Sequence, residues 1–314
     1  MDTRELAEKR DGMIIVKIKG GLGNQMFQYA MARRFQISYG IDRIGLDLTV
    51  IGKDRLRDFG LQHFALFDKV EVVEDKNNRA KLQEDLARRL VSYFIAGRQE
   101  GTAGKREDFL AAFFALFGVI QRDHSLVKDK ALMRLHKNIY MNGWFQEAEM
   151  LQPIRDILLE EFQWKPADIS GASVCRQILS TNAVCVHIRR GDYVNNPIFD
   201  VCGDSYYYKA MEYMRGILSN PVFYIFSDAV DELESTMRFP CPVVYVKGGH
   251  QDYEDLYLMK NCRHFIMSNS TYSWWAQFLG QAEDKVVVAP KKWCLTEDMS
   301  IGVYMKDWVL MDVS

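Results

Sequence analysis

The chain has 314 residues, a length that predicts two domains or one large one. Its apolar content of 48% and its charged content of 26% are ordinary for a soluble globular protein. The formal net charge is only −2, which argues against nucleic acid as a partner. An anionic ligand would therefore have to be bound by a local cluster of charged side chains.

The first residues are largely charged and contain no apolar signal region, and the six cysteines include no Cys-x-x-Cys pair. We therefore expect reduced thiols and a cytoplasmic protein. The longest apolar run, Phe109–Ile120, is shorter than the roughly 20 residues of a membrane span. We interpret it as a buried helix. The alternative is an interfacial helix that makes a peripheral contact with the inner face of the membrane.

A strand, a glycine turn and a helix open the N-terminal half. Residues 13–19 are apolar and β-branched, Gly20–Asn24 contains three glycines, and residues 25–34 have a helical pattern. This layout favours an anion cradle, because glycines allow close backbone approach and the helix start offers free N–H groups. No Gly-Lys-Ser/Thr follows, and Met26 stands where a dinucleotide motif needs glycine. A tight turn without a ligand is the alternative.

The rest of the N-terminal half is less regular. We predict an amphipathic helix over residues 77–95, a flexible loop over 97–104 and a helix over 147–164. The predicted short strands are residues 45–49, 64–67, 69–73 and 138–145. Pro166 and the polar residues after it mark the domain boundary, which gives domains of residues 1–165 and 166–314.

The C-terminal half alternates regularly between helices and apolar strands. The predicted helices are residues 172–180, 206–218, 229–237, 253–262 and 273–279. The predicted strands are residues 183–188, 222–226, 243–246, 264–267 and 286–289. Strands separated by helices predict right-handed crossovers and a parallel sheet. The fold class is therefore α/β, with two domains that face each other across a cleft.

The stretch Val184–Tyr193 combines a buried strand with a charged loop. Arg189 and Arg190 follow the apolar residues directly, and Gly191 permits a sharp turn before Asp192. Ligands of open α/β sheets bind at the carboxyl ends of strands, and two fixed guanidiniums suit a dianionic group such as a diphosphate. A strand end with a surface salt bridge is the alternative interpretation.

Three further polar clusters follow predicted strands or lie in loops. They are Ser227-Asp228, Asp252–Asp255 and Ser268–Trp275. Because the carboxyl ends of parallel strands share one edge of a sheet, we expect these clusters to converge on the arginine pair. A carboxylate among them could accept two hydrogen bonds from guanine. The adjacent residues Trp274 and Trp275 are expected to pack their helix against the sheet.

Four motifs resemble those of the α-1,2-fucosyltransferases, glycosyltransferase family 11, in the same order along the chain. They are Gly20-Gly-Leu-Gly-Asn-Gln-Met-Phe-Gln-Tyr-Ala30, His187-Ile-Arg-Arg-Gly-Asp-Tyr193, Ser268-Asn-Ser-Thr-Tyr-Ser-Trp-Trp-Ala276 and Pro290-Lys-Lys-Trp293. Weaker similarity is present at Gly143–Gln146 and Asp204–Tyr208. The resemblance implies a GT-B-like fold of two Rossmann-like domains, with the GDP-sugar donor held mainly by the C-terminal one.

The resemblance also implies roles for individual residues. It matches Arg189 and Arg190 with the arginines that bind the donor diphosphate and His187 with a histidine near the nucleotide. The remaining predicted donor-binding residues are Gly23 and Asn24 of the glycine turn, Asp228, Asp255 as the guanine-binding carboxylate, and Ser270, Thr271 and Ser273 as the segment that caps the phosphates.

The arginine pair bears on the metal requirement. Negative charge grows on the diphosphate as it leaves, so positioned guanidiniums stabilise the transition state more than the ground state. No Asp-x-Asp pair occurs, and Glu147-Ala-Glu149 is among the nearest approximations. We therefore expect no metal and no other cofactor. Asp192 is the candidate catalytic base, and the alternative is that it only orients Arg189 or Arg190.

The sequence thus predicts inverting, metal-independent transfer of L-fucose from GDP-β-L-fucose to the 2-hydroxyl of a galactose-containing acceptor, a galactose-terminated oligosaccharide or lipid-linked glycan. The alternatives are a transferase with another linkage or GDP-sugar donor, and a non-catalytic module that binds GDP or a glycan. A nucleotide-dependent dehydrogenase is disfavoured by the incomplete glycine motif.

Overall fold

The computed structural model describes residues 10–51, 58–73, 86, 113–120, 136–165, 173–247, 250–296 and 302–313. The chain divides into two compact units, Met1–Gln163 and Trp164–Ser314, close to the predicted boundary after residue 165. The predicted helix over 77–95, apart from Leu86, and the predicted loop over 97–104 lie outside the described residues.

The N-terminal unit is built on a five-stranded sheet of order β3-β2-β1-β5-β4, in which all described pairs are parallel. Its strands are β1 (Arg10–Lys17), β2 (Ile41–Asp47), β3 (Glu71–Val72), β4 (Val119–Ile120) and β5 (Asn138–Met141). The described helices are α1 (Leu22–Tyr39), α2 (Ala148–Leu151) and α3 (Arg155–Glu161), with 3₁₀ turns at Leu61–His63, Ala65–Lys69 and Gln152–Ile154. The apolar side chains of β1 are buried, as expected for the central strand of a parallel sheet that is covered on both faces.

The C-terminal unit is built on a six-stranded parallel sheet of order β11-β10-β9-β6-β7-β8. Its strands are β6 (Asn182–Ile188), β7 (Pro221–Ser227), β8 (Val243–Tyr245), β9 (His264–Ile266), β10 (Val287–Pro290) and β11 (Val309–Met311). Its helices are α4 (Ser173–Ser180), α5 (Asp204–Ile217), α6 (Val230–Thr236), α7 (Asp252–Lys260) and α8 (Thr271–Leu279). The chain order in the sheet reverses beside β6, which has β9 on one side and β7 on the other.

The predicted α/β class is confirmed for each of the two units, since each contains a parallel sheet with helices between its strands. Trp274 and Trp275 are both fully buried, which is consistent with the predicted packing of their helix, and Trp274 Nε1 donates to the carbonyl of Val303 at 2.8 Å. None of the six cysteines forms a disulfide. Among the described residues, no helix is both long and apolar enough to cross a membrane.

Some predicted elements were wrong. The predicted strand over 64–67 is a 3₁₀ turn, Ala65–Lys69, whose buried Phe64 and Leu66 imitate the alternation of a strand. Pro153 lies in a 3₁₀ turn that separates α2 from α3, because proline has no N–H to continue a helix. The strand β11 was not predicted.

The predicted buried helix Phe109–Ile120 was wrong at its C-terminal end. Gly118 adopts a left-handed φ of 69°, which glycine tolerates, and Val119–Ile120 then form β4. Phe114 and Val119 pack with Ile15 of β1 in the core of the N-terminal unit. Residues 109–112 lie outside the described residues, and the membrane contact stays a prediction.

Candidate functional site

The paired arginines leave the sheet at the carboxyl end of β6. Ile188, the last residue of the strand, is fully buried, and the chain then forms a 3₁₀ turn at Gly191–Tyr193. The backbone N–H groups of Tyr193 and Val194 donate to the carbonyl of Arg190 at 2.7 and 3.0 Å. The turn therefore holds both guanidiniums at the ligand-binding edge of the sheet.

Asp228, at the end of the neighbouring β7, organises this turn. Its Oδ1 accepts the backbone N–H of Arg190 at 2.9 Å, and its Oδ2 lies 2.7 Å from Nη1 of Arg189. A Cβ atom on Gly191 would lie 2.4 Å from the same carboxylate. Glycine is therefore required at position 191 for the close approach of Asp228.

Arg189 is also held by Asp192, whose Oδ1 accepts from Nη2 at 2.6 Å and from Nε at 3.1 Å. The guanidinium lies 5.5 Å from the ring centre of Tyr193. These contacts fit the second of the two roles considered for Asp192, that of orienting an arginine. A carboxylate that is paired with a guanidinium is a weaker proton acceptor than a free one.

Arg190 pairs with Asp204, the first residue of α5, at 2.6 Å between Nη2 and Oδ1. Its Nε is buried and has no hydrogen-bond partner in the described part of the chain. The two guanidiniums thus face three carboxylates. The side chains of Asp192 and Asp204 are 54% and 47% exposed, whereas Asp228 is 25% exposed. An incoming anion would displace the two exposed carboxylates more readily than Asp228.

His187 lies behind the arginines and is only 5% exposed. Its Nδ1 is 2.5 Å from Oγ of Ser273 and 3.0 Å from Oγ of Ser268. Burial, and secondly the charge of Arg189, lower the pKa of His187 to about 3, so the imidazole is neutral near pH 7. The hydroxyl of Ser273, predicted to cap the phosphates, is used here to hold His187.

The start of α8 follows β9 at the same edge of the sheet. Ser270 is the N-cap residue, and its hydroxyl accepts the N–H of Tyr272 at 3.3 Å. Thr271 is the first residue of the helix. The two residues thus lie where helix N–H groups and hydroxyls favour an anion.

Asp255 lies in the first turn of α7, where His250 Nδ1 is 3.0 Å from its Oδ1. Burial raises the pKa of Asp255 to about 6, and the neighbouring His250 opposes this shift. The Tyr272 hydroxyl donates to the carbonyl of Asp252, while its ring centre lies 5.4 Å from that of His187. Tyr272 therefore connects the Asp255 region to the histidine.

The glycine turn belongs to the N-terminal unit. Gly20 has φ of 77°, and a Cβ there would lie 2.9 Å from Nδ2 of Asn24. Gly23 is buried inside the first turn of α1, which begins earlier than predicted. The Asn24 side chain accepts a hydrogen bond from Nε2 of Gln146 at 3.0 Å.

The structure therefore joins Arg189, Arg190, Asp192 and Asp228 in one network. Two contacts at this edge of the sheet were missed by the sequence analysis: Asp204 with Arg190 in that network, and Ser268 with His187 beside it. Asp204 is the acidic residue in the first turn of α5, and this position was the available sequence signal for a charged partner. In the described residues, no group of three His, Cys, Asp or Glu side chains could hold a metal ion.

The model of Glycosyl transferase family 11 matches residues 13–312. The O-antigen biosynthesis glycosyltransferase WbnK of Escherichia coli is 29% identical over 315 residues, which cover 93% of this chain and 98% of that protein. An α-1,2-colitosyltransferase of Escherichia coli is 25% identical over 96% of this chain and 99% of its own length.

A shorter match joins the chain to galactoside α-(1,2)-fucosyltransferase 1 of Rattus norvegicus, with 34% identity over 103 residues, 31% of this chain and 27% of that protein. The crystal structure of the α-1,6-fucosyltransferase NodZ co-crystallised with GDP has a TM-score of 0.50 and 16% identity, and covers 86% of this chain and 93% of NodZ. The likeness to NodZ is one of fold.

Proposed function

Because the chain belongs to glycosyltransferase family 11, we propose that it transfers L-fucose from GDP-β-L-fucose to the 2-hydroxyl of a galactose-containing glycan, with inversion to an α-1,2 linkage. The observation that carries the proposal is the guanidinium pair held at the carboxyl end of β6. That position is the ligand-binding edge of a parallel sheet.

The arginine pair provides the driving interaction for departure of GDP. As the bond between C1 of fucose and the phosphate oxygen breaks, charge accumulates on the diphosphate, where Arg189 and Arg190 donate charge-assisted hydrogen bonds. Removal of one such donor typically costs about 3–4 kcal/mol, or 10²–10³ in rate. Two fixed guanidiniums supply charge that other enzymes take from a metal, so the proposed reaction needs none.

Donor binding exchanges counter-ions in this proposal. The diphosphate replaces Asp192 and Asp204, the more exposed carboxylates, while Asp228 keeps its bonds to Arg189 and to the backbone of Arg190. The buried Nε of Arg190, which has no described partner, is a further donor for a phosphate oxygen. Such an exchange keeps the arginines oriented before the donor arrives, which reduces the entropy cost of binding.

The remaining donor contacts come from the neighbouring strand ends. Ser270 and Thr271 at the start of α8 provide hydroxyl and backbone N–H donors for the phosphates. Asp255 accepts hydrogen bonds from guanine, with His250 holding one of its carboxylate oxygens. His187 acts as a neutral residue that supports Ser273 and the arginine turn.

The acceptor is proposed to be a galactose-terminated oligosaccharide or lipid-linked glycan, used in the cytoplasm. The similarity to an O-antigen biosynthesis glycosyltransferase, which extends over nearly the whole chain, supports this class of acceptor. A second candidate donor is GDP-colitose, supported by the similarity to the α-1,2-colitosyltransferase over 96% of the chain. Colitose lacks the 3-hydroxyl of fucose, so the two donors differ by one hydrogen-bonding group.

The experiment is a donor screen with GDP-fucose, GDP-colitose and GDP-mannose, a β-galactoside acceptor and excess chelator. We expect turnover of GDP-fucose that the chelator does not remove, and a 10²–10³-fold loss in Arg189→Ala. Preference for GDP-colitose would replace the donor assignment, and loss of all turnover with the chelator would refute the metal-free mechanism. Binding of GDP without consumption of any sugar donor would indicate a non-catalytic module.

A further inference from the structure

A buried asparagine joins three neighbouring loops at the carboxyl edge of the C-terminal sheet. Asn269 lies between β9 and α8 and is only 2% exposed. Strand β9 has β6 on one side and β10 on the other. The loops that follow these three parallel strands therefore share one edge of the sheet, with Asn269 in the middle loop.

The side-chain amide of Asn269 connects this middle loop to the other two. Its Nδ2 donates to the carbonyl of Phe199, in the loop after β6, at 3.0 Å, and to the carbonyl of Trp293, after β10, at 2.9 Å. Its Oδ1 accepts from Sγ of Cys202 at 3.5 Å. An amide presents two N–H donors and an acceptor in one plane, a combination that aspartate, serine and leucine lack. The contacts therefore call for asparagine at position 269.

We call residues 193–202 the arginine-side loop, because they follow Arg190 in the 3₁₀ turn and beyond it. The side chain of Asn196 accepts the backbone N–H groups of Ile198 and Phe199 at 2.9 and 3.1 Å. The carbonyl of Ile198 accepts the N–H of Leu295 at 2.8 Å. The loop is thus bonded within itself and to the segment after β10, and Asn269 fixes it to the segment after β9.

The arginine-side loop reaches Arg189 through Tyr193. The rings of Tyr193 and Phe199 are stacked, with centres 5.4 Å apart and planes inclined by 26°. The Tyr193 hydroxyl donates to the backbone carbonyl of Asn269 at 3.4 Å. The Arg189 guanidinium lies over the same ring at 5.5 Å, within the range of a cation–π contact. Asn269 therefore supports the ring of Tyr193 directly through its carbonyl and indirectly through Phe199.

We infer that Asn269 is a positioning residue for Arg189 and that it acts through Tyr193. The inference rests on the proposed function, in which Arg189 donates to the departing diphosphate. Asp192 and Asp228 hold the guanidinium by hydrogen bonds. When the diphosphate replaces Asp192, the ring of Tyr193 and the carboxylate of Asp228 remain to keep Arg189 in place. Asn269 itself touches no substrate in this account.

The inference also gives a role to a motif that donor binding leaves unused. Pro290-Lys-Lys-Trp293 supplies no donor contact in the proposed function. Its Trp293 is buried, and the backbone carbonyl of this residue is one of the two acceptors for Asn269. The motif after β10 thus serves the arginine pair at a distance, because it anchors the amide that holds the arginine-side loop.

The first test is Asn269→Ala, which removes the amide. We expect kcat for transfer from GDP-fucose to fall about 10- to 100-fold, since displacement of a reacting group by about 1 Å can cost 10²-fold. Asn269→Ser keeps one donor and should have an intermediate kcat, and it replaces Asn269→Ala if that variant does not fold.

Asn182→Ala is the matched control. Asn182 lies at the opposite end of β6, where its Nδ2 donates to the carbonyl of Ser219 at 2.9 Å and its Oδ1 is 3.0 Å from Nε2 of His264. It therefore also bridges separate segments of the same sheet. Asn182→Ala should lower Tm, but kcat of the folded protein should stay within about twofold of the wild type.

A double-mutant cycle shows whether Asn269 acts through Tyr193. Tyr193→Leu removes the ring beneath Arg189. Addition of Asn269→Ala to Tyr193→Leu should then lower kcat by less than about a further threefold, because residues that act as a unit have non-additive effects. A merely structural role for Asn269 would instead give losses that multiply.

Amide hydrogen exchange measures the arginine-side loop without any substrate. In Asn269→Ala, the hydrogen-bonded N–H groups of residues 193–200 should exchange at least about tenfold faster than in the wild type, whereas Asn182→Ala should leave them unchanged. Wild-type exchange in Asn269→Ala would overturn the inference, whether or not the protein transfers sugar.

Two kinetic results would also overturn the inference: a kcat within twofold of the wild type in Asn269→Ala, and losses that multiply in the double variant. Failure of the proposed function looks different. In that case the wild type transfers no sugar from any GDP donor, although exchange in Asn269→Ala is faster, and the catalytic role of Asn269 is refuted together with the function.

Discussion

Replacement of Asp228 by asparagine tests how the arginine pair is positioned. The carboxylate holds Arg189 at 2.7 Å and the backbone N–H of Arg190 at 2.9 Å. In Asp228→Asn the amide oxygen can still accept from the backbone N–H of Arg190, but the Arg189 guanidinium loses one of its two charged partners and keeps Asp192. Asp228 does not touch the substrate in our account, so it acts as a positioning residue.

The expected loss in kcat follows from the single bond between Asp228 and the Arg189 guanidinium. A hydrogen bond between charged groups contributes roughly 1.5–3 kcal/mol, and the partial exposure of Asp228 favours the lower figure. About 1.5 kcal/mol is close to a tenfold change in rate. We therefore expect kcat to fall about tenfold in Asp228→Asn. In Asp228→Ala the backbone N–H of Arg190 also loses its acceptor, and kcat should fall about 10²-fold.

The assay is steady-state transfer from GDP-fucose, with the Tm of each variant as a measure of folding. Asp231→Asn removes an acid of the same type that is 86% exposed and pairs with Lys247, and it is the matched control. The decisive readout is kcat, because a purely structural role would lower Tm without changing kcat of the folded fraction. A kcat in Asp228→Asn within twofold of the wild type would contradict the assigned role.

Three further predictions concern the same unit. Gly191→Ala should lower kcat/KM more than tenfold with little change in Tm, because its Cβ would lie 2.4 Å from Asp228, and wild-type kinetics would refute this. The free energy of unfolding should fall as pH decreases from about 6.5 to about 3, by up to about 1.4 kcal/mol per pH unit, because the unfolded chain protonates His187 while burial keeps it neutral in the fold. His187→Asn should reduce this slope, and an equal slope in chemical denaturation would contradict the reasoning. Affinity for GDP, measured by calorimetry, should weaken as pH falls through about 6, where the raised pKa of Asp255 lets its carboxyl gain a proton. Asp255→Asn should remove this dependence, and a dependence that persists in Asp255→Asn would contradict the assignment.

Much of the C-terminal sheet is predictable because its strands are short apolar runs buried on both faces. The runs around Val184 and Phe223 are separated by helical patterns, which leaves a parallel sheet as the consistent arrangement. The strand β11 is short and only partly buried, so its sequence carries little signal. The 3₁₀ turn at Ala65–Lys69 was mistaken for a strand because its buried residues alternate.

The composition of the site was less predictable than its location. Arg189 and Arg190 are visible in the sequence as charges after an apolar strand, but their partners depend on tertiary structure. Asp204 lies 14 residues beyond Arg190 and reaches it only because α5 begins beside the turn. The bond between His187 and Ser273 joins residues 86 positions apart.

Glu147 shows a different limit of sequence reasoning. The sequence offers an ordinary glutamate two residues before another. Its raised pKa arises from partial burial and secondly from the charge of Glu149, and the burial depends on tertiary structure that a local pattern does not encode. The left-handed Phe145 is equally invisible, since aromatic residues rarely adopt that conformation.

The central claim is transfer of fucose to the 2-hydroxyl of galactose with inversion. The most direct test is NMR of the purified product formed from GDP-β-L-fucose and a β-galactoside. We predict an α-anomeric fucose whose H1 correlates with C2 of galactose across the new glycosidic bond. Correlation with another galactose carbon, a β-anomeric product, or the absence of a fucosylated product would contradict the account.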